Sequence, residues 1–384
     1  MRAGLRLPDY GSGSLADVLP AVLRGLGVAD DQTGVASPPG LQLDVTERVV
    51  LVLVDGLGAD ALEEHAAEVP FLSALRAAPG SRTITSVFPT TTPIALTSLG
   101  TGMTPGEHGI TGLLMRLPDR SQVFTLALPS PVDLSTLQPR PTAFERAVAA
   151  GVAVARVGPK RFDGDGLTQA GLRGGSYVAA ESVGERVTAA VAAVRGHGRS
   201  LTYVYYGDLD STGHRQGCRS AAWRAELRSV DGFVEQLASR LPAGVTLLVT
   251  SDHGMLDVPH ENRWDVARTP VLDDGVELVG GDLRGVHVYT RPGATDDVLT
   301  AWRSVIGGSF WVGSKDEAVG AGLFGPTVTD DARARIGDVV CAAVGDHNLA
   351  DSRVQPPDVL ALVGMHGGLT PTEVEVPLLV DRRT

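Results

Sequence analysis

Four short stretches of the chain are almost wholly apolar: Arg48-Val-Val-Leu-Val-Leu-Val54, Val152-Ala-Val-Ala-Arg-Val157, Leu201-Thr-Tyr-Val-Tyr-Tyr206 and Val245-Thr-Leu-Leu-Val-Thr250. Runs this short, rich in β-branched residues and without polar alternation, predict strands buried on both faces. Between them apolar residues recur at spacings of three and four, over 143–150, 183–194 and 220–241, which predicts helices. Strands alternating with helices build βαβ units, so the expected fold is α/β, a mostly parallel central sheet with helices on both faces. After Met255 the pattern changes, and 259–351 is richer in charges and turns, with Val286-His-Val-Tyr289 as a strand. A further apolar run, Val359-Leu-Ala-Leu-Val363, reads as a strand that returns the chain to the main sheet. The expected organisation is a catalytic core of 1–258 and 352–384 with a smaller cap lobe inserted at 259–351. The polar, Gly- and Pro-bearing segment 29–40 reads as a surface loop.

Charge and composition narrow the function classes. The 384 residues carry a formal net charge of -12, so a nucleic acid polymer would be repelled, whereas a small phosphorylated substrate held by a few local cations would not. The two cysteines, Cys218 and Cys341, make no disulfide framework and no C-x-x-C pair. Arg2 and Arg6 are followed by Pro8, Asp9 and Gly11 rather than an apolar leader, and no run of about 18 apolar residues occurs. The expectation is a soluble, cytoplasmic protein without a membrane span.

The acidic residues and histidines fall where the predicted strands end, and in open α/β sheets ligands bind beyond the carboxyl ends of the strands. The first strand ends at Asp55-Gly56. Another runs into Asp208-Leu-Asp210-Ser-Thr-Gly-His214, a third into Asp252-His253-Gly254, and the returning one into His366-Gly367. Taken singly, an aspartate after a strand is a turn or cap residue and a histidine a surface side chain. Together they place several carboxylates in one crevice, where they repel each other unless cations intervene. Aspartate and histidine without thiolate suit zinc or manganese, and there are donors enough for two ions, the arrangement of two-metal phosphoryl chemistry. A hydroxyl-rich loop, Phe88-Pro-Thr-Thr-Thr-Pro-Ile-Ala-Leu-Thr-Ser-Leu-Gly-Thr-Gly102, supplies the other part. Pro93 suits the first helical position, which puts Thr92 at the N-cap beside free amides that favour a phosphoryl group. On its own this stretch is also an ordinary capped helix.

The order of these motifs resembles the type I phosphodiesterase/nucleotide pyrophosphatase family, with its alkaline-phosphatase-like fold, from Asp55 to His366. The resemblance implies that Asp55, Asp252 and His253 bind one zinc, and that Asp210, His214 and His366 bind the other. It also implies a threonine nucleophile ten residues before the first glycine of the Thr-Gly-x-x-Pro motif; counting back from Gly102 gives Thr92, with Thr91 the neighbour a one-residue shift would select. That threonine would touch the first metal and carry a covalent intermediate. The chain departs from the family pattern at Ile94-Ala-Leu96, where Pro-Asn-His is usual, and at Ile110-Thr-Gly-Leu113, which lacks the asparagine that meets a phosphate oxygen. Lys160 and Arg161 could contact phosphate in its place, which would favour a monoester, or could be an exposed basic pair. His108 and His260 are expected to be structural or surface residues.

The implied activity is a two-metal phosphodiesterase or nucleotide pyrophosphatase acting on a small phosphorylated substrate such as a nucleotide, with two divalent ions, zinc or manganese, as cofactors. A phosphomonoesterase or a metal-dependent phosphomutase would use the same scaffold. Gly56-Leu-Gly58-Ala-Asp-Ala61 fits the G-x-G-x-x-A pattern of dinucleotide-binding oxidoreductases. That reading puts Asp55 against a pyrophosphate and leaves Asp210, His214, Asp252, His253 and His366 without a role. A sulfatase needs a modifiable Cys or Ser in a Cys-x-Pro-x-Arg-like motif, which neither cysteine has. A silent metal-binding or interaction protein would not need the hydroxyl.

Overall fold

In β1 (Arg48–Val54) Val49, Leu51 and Leu53 enter one hydrophobic cluster, while Val50, Val52 and Val54 enter another on the opposite face. Two-sided burial is the reason that the run contains no polar residue after Arg48. The computed structural model describes residues 4–29, 40–127, 130, 132–196 and 198–383. Of the expected surface loop, residues 30–39 lie outside the described residues. After β1 come β2 (Arg82–Thr85), β3 (Leu114–Arg116), β4 (Gln122–Phe124), β5 (Ala153–Gly158), β6 (Ser176–Ala179), β7 (Ser200–Tyr206) and β8 (Val245–Thr250). The central seven-stranded sheet runs β2, Glu375–Arg383, β8, β1, β7, β5, β6. Strands β8, β1, β7, β5 and β6 are mutually parallel, and the C-terminal strand Glu375–Arg383 is antiparallel to both its neighbours.

Helices cover both faces. The helix Ala221–Arg240 is capped by Ser220, whose hydroxyl accepts from the Trp223 amide at 3.0 Å. It buries Trp223, Leu227, Val230, Val234 and Leu237, a stripe at spacings of three and four, against the β1 face that carries Val52. The helices Val18–Gly25, Thr92–Thr101 and Ala143–Ala149 place Val22, Ile94 and Phe144 in the cluster on the other face.

A second, six-stranded sheet is antiparallel throughout, in the order Phe310–Ser314, Val339–Ala343, Gly285–Thr290, Val276–Gly281, β3, β4. Four of its strands lie within 259–351, and two come from residues 114–124, outside that stretch.

The expected strand at Val359–Val363 is not one. Pro356 and Pro357 open a helical turn, Pro357–Leu360, and none of its residues is buried. Apolar content alone misleads there because the prolines fix a turn and remove ladder donors. The chain returns instead through Gly364–Met365, paired antiparallel with Leu256–Asp257, and then through Glu375–Arg383.

A buried ion pair ties the two sheets together. Arg284, immediately before the strand Gly285–Thr290, meets Glu373, in the turn Pro371–Val374 that leads into the C-terminal strand. The contact is bidentate, with Nε to Oε1 and Nη2 to Oε2 both at 2.7 Å, and both side chains are fully buried. Burial alone would raise the Glu373 carboxyl, but the Arg284 charge and the Thr370 and Gly368 donors outweigh it and hold the group below its ordinary value. Arg284→Met would strand the carboxylate in the interior and is expected to cost about 3–5 kcal/mol in urea unfolding. A loss under about 1 kcal/mol would contradict the pair's role as the tie between sheets.

Candidate active site

Four chain turns at the carboxyl edge of the central sheet converge on one point. Asp55 follows β1 directly, and Gly56 turns the chain there at φ 76°; a side chain at Gly56 would meet the Asp210 Cα at 3.1 Å. β7 leads into the helix Asp208–Gln216, which sets Asp210 and His214 one turn apart on one face. β8 ends at Thr250, two residues before Asp252 and His253. His366 follows the short strand Gly364–Met365. The structure thus brings together all six residues expected as ligands.

Their distances define the centre. Asp210 Oδ1 lies 3.4 Å from His214 Nε2 and 3.8 Å from His366 Nε2. His253 Nε2 lies 3.6 Å from Asp55 Oδ1 and 3.4 Å from Asp252 Oδ2. Two groups have all their donor atoms within 4.8 Å of one another: Asp210, His214 and His366, and Asp55, Asp210 and His253. Asp210 belongs to both, and Asp252 flanks the second from the His253 side.

The three histidines share one tautomer. Nδ1 of His214 sits 2.8 Å from the Gly364 carbonyl, that of His253 3.1 Å from the Gly254 carbonyl, and that of His366 2.9 Å from the Thr90 carbonyl. A carbonyl only accepts, so each Nδ1 carries a proton, and in the neutral ring Nε2 is then the nitrogen with the lone pair. These lone pairs face each other, with His366 Nε2 3.2 Å from His214 Nε2 and the His253 and His366 rings stacked at 3.7 Å. Burial first, then the neighbouring His253 and His214, push His366 well below the ordinary histidine value, so it resists a proton of its own.

The carboxylates show the matching deficit. Asp55 Oδ1, Asp210 Oδ1 and Asp252 Oδ2 are buried without a hydrogen-bond partner. Their other contacts fix their orientation. Asp55 Oδ2 accepts from the Tyr205 hydroxyl at 2.6 Å, and Asp252 Oδ1 accepts from the Gly56 and His253 amides at 3.2 and 3.1 Å. Burial, then the charges of Asp252 and Asp210, raise the Asp55 carboxyl well above the carboxylate range; burial is also the largest effect raising Asp210. Lone pairs on these carboxylates and imidazoles, aimed inward with one oxygen of each carboxylate unpartnered, suit a divalent cation.

Thr92 opens the helix Thr92–Thr101, and the extended N-cap is Thr91, one residue earlier than the sequence suggested; Pro93 falls inside the first turn. Thr92 Oγ1 lies 3.3 Å from His253 Nε2 and lines the adjoining cavity, whereas the Thr91 side chain engages Asp282. Lys160 is exposed and pairs with Asp163 at 2.5 Å, but Arg161 lines the cavity. No asparagine appears among the described lining residues, and Leu96 stands in the wall. The cavity holds about 350 Å³ and runs from Asp55, Thr92 and Asp210 toward an aromatic end. The sequence reading passed over Tyr205, which pins Asp55. It also passed over Thr90, whose carbonyl orients His366 and whose hydroxyl donates to the Gly368 carbonyl at 2.8 Å. A tyrosine at the last turn of an apolar strand beside an aspartate was the available signal for the first.

Gly58 leaves no cradle for a dinucleotide. A side chain there would meet the Thr372 carbonyl at 3.1 Å and the Gly254 Cα at 3.3 Å, so the glycine serves close packing of chain on chain. The helix that follows, Ala59–Glu64, has six residues.

A family model described as type I phosphodiesterase/nucleotide pyrophosphatase matches residues 49–369. The chain belongs to this family. Among curated proteins, the phosphopentomutase of Anaeromyxobacter dehalogenans (strain 2CP-C) is 31% identical over 181 residues, 46% of this chain and 44% of that protein. The chain therefore matches less than half the length of that relative. Human ectonucleotide pyrophosphatase/phosphodiesterase family member 7 is 41% identical over 63 residues, 15% of this chain and 14% of that protein. Among solved structures, murine ectonucleotide pyrophosphatase/phosphodiesterase 5 superposes with a TM-score of 0.67 at 19% identity, covering 86% of this chain and 87% of its own. Phosphonoacetate hydrolase from Sinorhizobium meliloti 1021, solved with phosphonoformate, superposes with a TM-score of 0.69 at 20% identity, covering 90% and 92%. These likenesses establish the alkaline-phosphatase-type fold of the phosphodiesterase family for this chain. No helix among the described residues is long and apolar enough to cross a membrane.

His108 braces the helix that carries Thr92. Its Nδ1 accepts from the Ile110 amide at 3.1 Å, so Nε2–H donates to Ser98 Oγ at 2.8 Å. Burial, then Arg335 and Arg140, pull its pKa down to about 3. The unfolded chain takes up this proton near pH ~6.5. The neutral imidazole's contribution is therefore complete above that pH and declines by about 1.4 kcal/mol per pH unit as pH falls toward about 3. Urea unfolding at pH 7, 6 and 5 should show a shallower acid decline in His108→Gln than in the wild type. Equal slopes would contradict the buried neutral state.

Proposed function

We propose that this chain is a two-metal phosphate-ester hydrolase of the phosphodiesterase/nucleotide pyrophosphatase type, with Thr92 as its nucleophile. The observation that carries the reading is the pair of donor triples sharing Asp210, with the Thr92 hydroxyl 3.3 Å from the His253 nitrogen at their edge. In this reading Asp55, Asp252, His253 and Thr92 would hold one ion, and Asp210, His214 and His366 the other. The unpaired inward oxygens of Asp55, Asp210 and Asp252 fit such ions, and the nitrogen and oxygen donors favour zinc, with manganese also served. Divalent ions bound there would make the threonine hydroxyl more acidic and offset the charge on the ester oxygens.

The chain's own groups do the rest. Thr92 Oγ1 attacks phosphorus, forming an O–P bond as the ester P–O bond to the leaving group breaks. The phospho- or nucleotidyl-threonine is then hydrolysed by water, which returns the hydroxyl. Tyr205 keeps Asp55 oriented, and the three backbone carbonyls hold each histidine by Nδ1 so that Nε2 faces the centre. The substrate is a small phosphorylated molecule, a nucleotide included; an inactive variant of murine ectonucleotide pyrophosphatase/phosphodiesterase 5 was solved with AMP. The setting we propose is the cytoplasm, where the two free cysteines would stay reduced.

A second reading, a phosphomonoesterase or phosphomutase, is favoured by the 31% identity to a phosphopentomutase and by Arg161 in the cavity wall, where it can meet an additional phosphate charge.

Turnover of bis-p-nitrophenyl phosphate, p-nitrophenyl thymidine monophosphate and p-nitrophenyl phosphate tests the proposal. Zinc-replete protein should hydrolyse at least one ester, chelation should abolish it, and Thr92→Ala should lower kcat by more than about 1,000-fold. The preferred ester separates the two readings. If zinc-replete protein turned over none of them, or if Thr92→Ala kept its rate, the hydrolase mechanism would fall.

A further inference from the structure

At the end of the cavity away from the donor triples stands a cation without a carboxylate partner. Arg156 lies in β5 between two tyrosines, with Tyr177 of β6 and Tyr203 of β7 as its direct cross-strand neighbours. All three line the cavity. Two residues beyond Tyr203 on the same strand face is Tyr205, bound to Asp55, so this row sits about 7 Å behind the proposed metal end. Arg156 Nε and Nη1 are buried and make no hydrogen bond, and the guanidinium has no carboxylate in ion-pair contact among the described residues. Its one recorded neighbour contact is the Tyr177 ring, 5.5 Å from Cζ. The Tyr203 hydroxyl beside it is buried and equally unpartnered.

Arg156 is half-buried, and guanidinium nitrogens withdrawn from water are ordinarily paired, because an unpaired charge out of water is costly. In an acidic chain with many carboxylates to spare, this one has none. The cavity's own acids are engaged elsewhere: Asp55 and Asp210 face the donor triples, and Asp165 accepts from the Thr168 amide at 2.6 Å as the cap of the helix Gly166–Gly171. Burial pulls Arg156 below its ordinary value, against the weaker opposing pull of Tyr177 and Asp163.

We propose that Arg156 and the Tyr203 hydroxyl form a subsite for an anionic head on the organic group of the substrate, so that the preferred ester is anionic at both ends. The proposal rests on the hydrolase reading for the first end, where the phosphate meets Thr92. At the second end a carboxylate or a further phosphate fills the planar fork of Arg156 and takes the Tyr203 hydroxyl as a third donor. The aliphatic and aromatic lining of the same cavity, Leu96, Leu167, Leu172 and Phe162, suits an apolar or planar spacer.

Titration calorimetry on zinc-replete protein tests this with three stable probes: phenylphosphonate, 4-carboxyphenylphosphonate and 1,4-phenylenediphosphonate. The wild type should bind at least one of the doubly anionic probes about tenfold or more tightly than phenylphosphonate. The larger gain names the head, carboxylate or phosphate. R156M should lose the gain, R156K should keep part of it, and Tyr203→Phe should reduce it. Equal affinities for all three probes in the wild type, or a gain that survives in R156M, would overturn the subsite. Wild-type turnover of the three p-nitrophenyl esters, read alongside, reports on the hydrolase reading alone. Turnover without a gain, or without binding of any probe, sinks only the subsite, whereas absence of turnover of all three esters sinks the hydrolase reading on which the subsite rests.

Discussion

Three carboxylates, Asp55, Asp210 and Asp252, point oxygens with no hydrogen-bond partner into one buried space. Much else in the structure answers to that. In a medium of low polarity such groups cannot all stay ionised without compensation. Protonation would compensate them, and so would cations. Three histidines around the same space donate from Nδ1 to the carbonyls of Gly364, Gly254 and Thr90, away from the unpartnered carboxylate oxygens. The arrangement is costly as it stands and becomes favourable with positive charge at its centre, which is why the proposed function begins with metals.

The sheet supplies the geometry. β1, β7 and β8 lie side by side in the order β8, β1, β7, so Asp55, Asp210 and Asp252 are delivered by adjacent strands at one level. His366 has no such support from a long strand. It is held by Thr90 from one side. The loop after it is held by the Glu373 carboxylate, which accepts from the Gly368 amide at 2.7 Å and is itself clamped by Arg284 from the second sheet. The antiparallel sheet thus contributes to the site by bracing a loop of it, while the cavity wall is drawn from β5, β6 and β7, the helix Thr92–Thr101 and the segments after β4 and β5.

The parallel core was legible because two-faced burial demands unbroken apolar runs, and β1, β5, β7 and β8 carry them. The candidate ligands Asp55, Asp210, His214, Asp252 and His253 were legible because each follows such a run, whereas His366 follows only the two-residue strand Gly364–Met365. The C-terminal strand was not, since Pro377 interrupts it; the sheet tolerates that proline where its carbonyl accepts from Thr250 Oγ1 at 2.8 Å. β2 escaped notice as four residues of which only Ile84 and Thr85 are buried. Val359–Val363 misled for the opposite reason, being apolar but set by two prolines into a half-exposed turn. Arg156 was visible as the single charge inside a run buried on both faces, yet its meaning depends on which carboxylates stand near it, and only the fold tells that. Tyr205 has the same character: its strand was predicted, its contact with Asp55 was not.

The account's central claim is that the cluster of Asp55, Asp210, Asp252, His214, His253 and His366 is a cation site built around Asp210. Elemental analysis of zinc retained per chain after gel filtration measures this directly. The account predicts two zinc ions in the wild type and a loss of at least one in Asp210→Asn, which alters the residue common to both triples. Wild-type protein that retains no zinc and no manganese, or an Asp210→Asn variant that still holds two ions, would contradict it.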